Sequence, residues 1–209
     1  MAERTNSLKL IRWVLWGAVV LAGMAFFVLS SRTPTLKSTS LPGEVKIGSP
    51  FQLTSHTGET FDSKSLAGKP YLIFFGFTHC PDICPTTLLD LTNQLKDLGP
   101  RAKQINTLFI SVDPERDTPE NLKKYLESFG ENIIGLTGKP DQIKKVASSF
   151  RAVYERVPGG QDGDANDYSM NHTATVFMMD RNGRFAGTLS FQEKPEVRRK
   201  KLNRLLASP

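Results

Sequence analysis

Continuous apolar runs and helical periodicity alternate along this chain from about residue 51. Residues 71–77 are apolar throughout and follow Pro70, as expected of a central strand that is buried on both faces. Leucines then recur at helical spacing with polar residues between them, which predicts an amphipathic helix whose inner face is Leu88, Leu91, Leu95 and Leu98. Residues 105–112 form a second apolar run, which predicts the next central strand.

The same periodicity predicts three further helices. The first begins at Pro119, with Thr118 as its N-cap and proline at the first helical position. The second begins at Pro140, and the third is a basic helix at the C-terminus. Their expected inner faces are Leu122, Tyr125, Leu126 and Phe129; Ile143, Val146, Ala147 and Phe150; and Val197, Leu202, Leu205 and Leu206.

The region between residues 159 and 190 predicts a loop followed by a hairpin. Residues 159–171 are polar and glycine-rich, which favours a loop, and Asn182-Gly183 is a strong turn signal between strands 173–179 and 184–190. A strand, a helix, a parallel crossover and a terminal hairpin with its helix predict a thioredoxin-like α/β fold, in which helices flank a central mixed sheet. Ligands of such sheets gather at the carboxyl ends of the parallel strands.

The N-terminal part predicts one transmembrane helix ahead of this domain. Residues 13–29 form an uncharged run of 17, which is short for a membrane-spanning helix but long for the apolar part of a cleaved signal peptide. An anchor over residues 13–30 is favoured, with a cleaved signal as the alternative. Because basic residues precede the run, residues 1–12 are expected in the cytoplasm, followed after the anchor by a flexible tether (31–48) and an exported domain (49–209).

This placement bears on the compartment and on the partners. No long Arg- and Ser-rich presequence precedes the apolar run, so a bacterial inner membrane with a periplasmic domain is favoured over the mitochondrial inner membrane. The net charge of +6 is modest and does not indicate nucleic-acid binding. The densest basic patch, residues 198–201 with Arg204, is interpreted as a solvated helix face.

Two cysteines, Cys80 and Cys84, lie between the first central strand and the leucine-rich helix, and the chain contains no others. A spacing of four places both sulfurs on one face of a first helical turn, where the helix dipole favours thiolate over thiol. Two such sulfurs can form a disulfide or bind a soft metal ion, and an exported compartment is compatible with either. One pair is too few to serve as a disulfide scaffold for a domain of this size.

Three segments, in order, resemble the Sco/SenC family. Residues 76–85, GFTHCPDICP, are similar to its first signature, and residues 111–119, SVDPERDTP, are similar to its second. His172, just before the first strand of the hairpin, corresponds to its third element. The resemblance runs from about residue 48 to the C-terminal helix.

The resemblance implies a copper metallochaperone that is not primarily an enzyme. Copper, as Cu(I) or Cu(II), would be bound by Cys80, Cys84 and His172, and the implied partner is subunit II of cytochrome c oxidase, whose CuA centre the family helps to assemble. Other copper donors and thiol-disulfide proteins are further implied partners. Thiolate and imidazole suit both copper states, whereas calcium and magnesium need oxygen ligands. Zinc also fits this ligand set chemically.

Four residues beside the proposed ligands are expected to support the site. His79 belongs to the cysteine turn or tunes the thiolates, and Asp82 either caps the helix or lies near the metal or a partner. Asp113 hydrogen-bonds His79 or the loop, binds a partner, or caps its strand end. Asn171 stands where the family typically has an acidic residue, so it would orient His172 more weakly. Met170 is interpreted as a packing residue.

A thiol-disulfide oxidoreductase that acts on exported cysteine pairs, with Cys80 as nucleophile, is the main alternative. Thioredoxin-type reductases place a cis-proline just before the hairpin strand, where this chain has His172-Thr173, and that difference favours a metal site. A thiol peroxidase and a metal-free assembly adaptor are weaker alternatives.

Overall fold

The computed structural model describes residues 46–158, 167–191 and 193–208, together with the isolated positions 13, 16, 17, 23 and 24. The chain divides into two units, residues 1–44 and residues 45–209. The predicted anchor (13–30) and the predicted tether (31–48) lie almost entirely outside the described residues. Within the part that is described, no helix has both the length and the apolar composition needed to cross a bilayer.

Among the described residues of the second unit, seven strands form one mixed sheet and two strands form a separate hairpin. The sheet order is β2 (Thr60–Asp62), β1 (Gln52–Ser55), β5 (Ile133–Thr137), β4 (Asn106–Ser111), β3 (Tyr71–Gly76), β8 (Thr175–Met179) and β9 (Phe185–Ser190). The hairpin pairs β6 (Tyr154–Pro158) with β7 (Tyr168–His172). The helices are α1 (Ile83–Asp97), α2 (Pro119–Leu126), α3 (Pro140–Ser149) and α4 (Pro195–Ala207), and 3-10 turns occupy Ser63–Leu66, Gly99–Gln104 and Glu127–Phe129.

The centre of the sheet confirms the predicted thioredoxin-like fold. β3 and β4 are parallel and are joined through α1, as a crossover connection requires. On the other side of β3, β8 is antiparallel, with Tyr71 opposite Met179 and Phe74 opposite Val176. The β8–β9 hairpin and α4 complete this core.

Burial of the central elements follows the predicted pattern. All six residues of β3 are buried, as expected for a strand between two layers of helix. The predicted inner face of α1 is buried throughout, at Leu88, Leu91, Leu95 and Leu98. Thr118 caps α2 as predicted, because its side chain accepts a hydrogen bond from the N–H of Asn121. The packing of the core therefore sets where β3 and β4 end.

The predicted loop over residues 159–171 is wrong at its C-terminal end, where β7 is a strand. β7 pairs antiparallel with β6, from Tyr154 opposite His172 to Pro158 opposite Tyr168. This hairpin lies outside the main sheet and is only partly buried, so its sequence lacks the apolar alternation that signals a strand. The corrected element matters because β7 carries His172.

The predicted inner face of α4 is also wrong at one position. Leu202 and Leu205 are buried as expected, but Val197 is 40% exposed and Arg198 is 1% exposed. The Arg198 guanidinium is paired with Asp90 at 2.7 Å and donates hydrogen bonds to the Ser190 carbonyl. A buried arginine is tolerated only with such partners, so Arg198 is not part of a solvated face.

Candidate metal centre

The two cysteines lie where β3 ends and α1 begins. The chain leaves β3 at Gly76, and Cys80 is half-buried in the turn that follows. Cys84 is fully buried in the first turn of α1 and its N–H donates to Cys80 Sγ at 3.4 Å. Neither cysteine is in a disulfide. The buried strand and the helix thus bring both sulfurs to the carboxyl edge of the sheet.

His172 reaches the same place from the end of β7. Its Nε2 is 3.3 Å from Cys84 Sγ, and its Nδ1 is 3.3 Å from the carbonyl oxygen of Thr173. A carbonyl only accepts hydrogen bonds, so this contact assigns the proton to Nδ1 and turns the Nε2 lone pair towards the sulfurs. The ring also makes edge contacts with Phe74 and Phe77, with centroid distances of 6.0 and 5.8 Å.

These three side chains form a compact soft-ligand set. One ligand atom each from Cys80, Cys84 and His172 lies within 4.8 Å of the other two. Two sulfurs and one imidazole nitrogen suit a thiophilic transition metal, with room left for an exchangeable ligand. Among the described residues, no carboxylate belongs to this ligand set, so the set does not suit a hard cation.

The sulfurs differ strongly in acidity. The pKa of Cys80 is lowered to about 4, chiefly by the hydrogen bond from the Cys84 thiol, with smaller contributions from nearby backbone N–H groups. That same hydrogen bond, followed by burial, raises the pKa of Cys84. Without metal, the pair therefore shares one proton, and the more exposed sulfur carries the negative charge.

Asp117, which the sequence pattern does not single out, is a buried carboxylate beneath the cysteine turn. It is 0% exposed and accepts hydrogen bonds from the Thr78 N–H at 3.0 Å, the Thr78 hydroxyl at 2.6 Å and the Ser111 hydroxyl at 2.6 Å. Burial raises its pKa, and the hydrogen bonds from Ser111 and Thr78 oppose that shift. Its place in the SVDPERDTP segment was visible in the sequence, but its inward direction was not.

Asp113 does not hydrogen-bond His79, which was one of its predicted roles. One carboxylate oxygen accepts from the Tyr168 hydroxyl at 2.7 Å, and the other accepts from Arg116 Nε at 2.5 Å. Asp113 therefore contacts the strand that leads to His172. The carboxylate that approaches His79 is Asp117, at 4.0 Å from its Nδ1.

The remaining predicted supporting residues lie at the surface. His79 is 53% exposed and its Nδ1 is 3.1 Å from the Thr78 hydroxyl. Asp82 stands at the N-cap of α1 but makes no side-chain capping hydrogen bond and instead accepts from the Thr86 hydroxyl at 3.2 Å. Asn171 is exposed and points away from the face of β7 that carries His172, and no hydrogen bond of the described residues joins the two.

The fold and site define a thioredoxin-like domain with a Cys-Cys-His centre. A model of the SCO1/SenC family matches residues 39–207, and the chain belongs to this family. The SCO2-like protein of Rickettsia prowazekii is 39% identical over 192 residues, which cover 88% of this chain and 90% of that protein.

Two solved structures extend the comparison. Bradyrhizobium japonicum ScoI with copper bound has a TM-score of 0.69 and 48% identity, covering 76% of this chain and 99% of that one. BsSco, described as a member of the Sco family of cytochrome c oxidase assembly proteins in which a disulfide switch was identified, has a TM-score of 0.60. At 24% identity, with 79% of this chain and 96% of that chain covered, BsSco shows the shared fold alone.

Proposed function

We propose that this protein is a copper metallochaperone that binds one copper ion through Cys80, Cys84 and His172. The observation that carries the proposal is the convergence of two sulfurs and an imidazole nitrogen within 4.8 Å, although they come from segments far apart in the chain. The copper-bound ScoI relative, at 48% identity, supports copper as the metal. The donor atoms alone would also accept zinc, so the test below includes zinc as a competitor.

The acceptor in this proposal is subunit II of cytochrome c oxidase, at its dinuclear CuA centre. Three protein ligands leave a coordination position open, so a thiolate of the acceptor can bind the copper before the donor's ligands leave. Cys80 is the more exposed sulfur, which makes it the first sulfur that an approaching protein meets. Transfer then proceeds through shared thiolates without release of free copper.

Membrane attachment belongs to the same proposal. The uncharged residues 13–30 would anchor the chain in a bacterial inner membrane, with the metal-binding domain on the periplasmic side. Attachment would restrict the domain to the membrane that holds the oxidase, which raises its effective concentration there. Fractionation of cells that express the full chain, followed by protease treatment of spheroplasts, tests this arrangement directly.

The test of function is a transfer experiment with purified full-length chain. Protein loaded with one equivalent of Cu(I) is mixed with the reduced, metal-free copper domain of subunit II, and the two are separated and assayed for metal and free thiols. Copper should move to subunit II, and a tenfold excess of zinc should not displace it. Failure of the wild-type chain to bind copper at one ion per protein would overturn the proposal.

A thiol-disulfide oxidoreductase remains the second candidate, because the pKa of Cys80 is lowered to about 4 while Cys84 is buried behind it. A half-exposed thiolate beside a buried thiol is the arrangement of an attacking and a resolving cysteine. This activity would proceed without metal and would survive His172→Ala. If the metal-free protein reduces the subunit II disulfide and transfers no copper, this candidate replaces the first.

A further inference from the structure

A single turn at the end of β4 contacts both halves of the Cys–His site. This turn, residues 113–117, follows Ser111 and Val112 and precedes the N-cap of α2. Asp113 and Asp117 stand at its two ends, and the Asp117 N–H donates to the Asp113 carbonyl at 2.9 Å. Neither carboxylate is a member of the ligand set, yet both are buried, at 3% and 0% exposure. Buried carboxylates need hydrogen-bond partners, and here these partners include one residue from each segment that carries a ligand, Thr78 and Tyr168.

The C-terminal end of this turn holds the cysteine half. Asp117 receives hydrogen bonds from both the backbone and the side chain of Thr78, which lies two residues before Cys80. Ser111 donates to the same carboxylate and ties it to the end of β4. The core of the sheet is thus linked to the cysteine turn by hydrogen bonds that converge on one buried carboxylate.

The N-terminal end of the turn holds the histidine half through Tyr168. The Tyr168 hydroxyl donates to Asp113 at 2.7 Å, and Arg116 donates to the Tyr168 carbonyl at 2.9 Å. The guanidinium of Arg116 also lies over the Tyr168 ring, with its carbon 3.6 Å from the ring centroid. Because Arg116 Nε donates to Asp113 as well, Asp113, Arg116 and Tyr168 form a closed triangle of contacts.

The strand β7 connects Tyr168 to the imidazole of His172. Tyr168 and His172 are the first and last residues of β7 and share one face, because side chains alternate along a strand. A two-stranded hairpin outside the main sheet has little stability of its own, so its position depends on such side-chain attachments. Arg116 also lies 5.9 Å from the ring of Phe77, which in turn contacts the ring of His172.

We infer that the turn 113–117 sets the position of His172 relative to the two cysteines, with Asp113, Arg116 and Tyr168 as positioning residues for the imidazole and Asp117 as the positioning residue for the cysteine turn. The inference rests on the proposed copper-binding function. Residues that support metal ligands in this way typically change metal affinity by about 10- to 100-fold when they are substituted. Their effects should separate by the half of the site that each one holds.

The test is a double-mutant cycle on the full-length chain. Tyr168→Phe removes only the hydroxyl that bonds Asp113, and we expect it to weaken Cu(II) binding by about tenfold or more while Cu(I) binding changes less. In the His172→Ala background, Tyr168→Phe should have no further effect on Cu(II), because its effect acts through the imidazole. Tyr154→Phe, on the paired strand, is the matched control, since its hydroxyl makes no hydrogen bond among the described residues.

Asp117→Asn tests the cysteine half of the site in the same way. It replaces a pure acceptor with an amide beside three donors, so it should lower Cu(I) affinity, and the loss should be the same in the His172→Ala background. Arg116→Lys keeps the charge but cannot bond Asp113 and the Tyr168 carbonyl in the same way, and it provides a second histidine-side variant should Tyr168→Phe fail to fold. Thermal unfolding of each variant shows which ones remain folded.

A metal-free readout separates this inference from the proposed function. In the copper-free protein, the ¹⁵N signals of the His172 ring report its hydrogen bonds, and they should shift in Tyr168→Phe but not in Tyr154→Phe. Unchanged ring signals and wild-type Cu(II) affinity in folded Tyr168→Phe and Arg116→Lys would overturn the inference. A wild-type chain that binds no copper, with ring signals that still shift in Tyr168→Phe, would overturn the function and leave the positioning role standing.

Discussion

The cysteine half and the histidine half of the site are built in different ways. The cysteines are carried by a strand whose six residues are all buried and by a 15-residue helix packed against the core. His172 is carried by a five-residue strand of a separate hairpin, and only one residue of that strand, Tyr168, is buried. One half is therefore fixed by packing of the main core, and the other by a few hydrogen bonds and ring contacts at the edge of the domain.

This difference suits the proposed function, in which the protein accepts and releases a metal ion. Ligands set in a packed core move little, because the surrounding side chains have few alternative arrangements. A hairpin held by a small set of hydrogen bonds opens at lower free energy, as peripheral elements generally do. From this comparison we expect the sulfurs to retain copper while the imidazole moves.

The largest expected effect comes from substituting one metal-binding residue in each half of the site. Cys84→Ser should abolish stoichiometric binding of both copper states, since it removes a buried thiolate ligand. His172→Ala should weaken Cu(II) by more than about 100-fold but Cu(I) by less than about tenfold, because thiolates dominate the softer state. Competition titrations with chelators for each oxidation state measure both constants.

His56→Ala is the control for the ligand exchanges, because the His56 ring accepts a hydrogen bond from the Gly135 N–H at 3.0 Å and takes no part in the ligand set. It should leave both constants unchanged. Equal losses of Cu(I) and Cu(II) in His172→Ala would contradict the division between the two halves.

The next effect is the pH dependence of the exposed sulfur. A lowered pKa keeps Cys80 a thiolate until the pH falls through about 4. Its alkylation rate in the reduced, metal-free protein should therefore change by less than about threefold between pH 8 and pH 6, whereas an ordinary thiol slows roughly tenfold per pH unit there. Mass spectrometry locates the label unambiguously, because the chain has only two cysteines.

The matched variant for this measurement is Cys84→Ala. It removes the hydrogen bond that is the largest cause of the lowered pKa, so the alkylation of Cys80 should regain a pH dependence in the neutral range. A wild-type profile that already rises steeply between pH 6 and pH 8 would show that the two sulfurs do not share a proton.

A smaller effect is expected from crowding the cysteine half. A Cβ on Gly76 would lie 2.8 Å from Cys84 Sγ and 2.6 Å from a ring carbon of Phe109. Gly76→Ala should lower the free energy of unfolding by about 1–3 kcal/mol and should also weaken copper binding, because the sulfur is displaced. Denaturant unfolding and the same chelator titrations measure the two quantities.

Gly135→Ala separates stability from site geometry. Its Cβ would lie 2.6 Å from Leu126 Cδ1, a similar clash in the same sheet but away from the sulfurs. It should cost a similar amount of stability and leave copper affinity unchanged. If both variants lose copper equally, close packing of the core would be the cause, and not the position of Cys84.

The same division explains which features could be predicted from the sequence. The strand 71–77 and the leucines of α1 are strongly patterned because a two-layer core buries them, and the cysteines follow from their place between these two elements. β7 lacks such a pattern, since its partner lies outside the main sheet and only Tyr168 is buried. The family resemblance, and not the periodicity, pointed to His172.

The roles of the two carboxylates could not be predicted, because they depend on the direction in which each side chain points. Asp113 and Asp117 are four residues apart in a polar turn, and either could have faced the cysteines. The structure turns Asp117 towards Thr78 and Asp113 towards Tyr168. Arg198 is a similar case, because an arginine is buried only when distant partners such as Asp90 lie in reach.

The smallest expected effect comes from the arginines on the two faces of the Tyr168 environment, one partly buried and one exposed. Their substitution tests whether buried or exposed contacts hold the histidine half. Arg116 and Arg156 lie over the Tyr168 ring at 3.6 and 3.5 Å, but their side chains are 19% and 46% exposed. Arg156 also forms an exposed ion pair with Glu115 at 3.1 Å, and such pairs contribute about 0–1 kcal/mol. Arg156→Gln removes this ion pair and the ring contact, and we expect it to leave Cu(II) affinity at the wild-type value.

Arg116→Lys, measured beside it, should weaken Cu(II) binding, because Arg116 donates to both Asp113 and the Tyr168 carbonyl from the buried side. The two arginines thus offer nearly the same ring contact with different polar partners. If Arg156→Gln weakened Cu(II) as much as Arg116→Lys, the ring contacts would hold the hairpin and the buried hydrogen bonds would not. The histidine half would then be fixed from the solvent side, and the contrast with the core-packed cysteines would be sharper still.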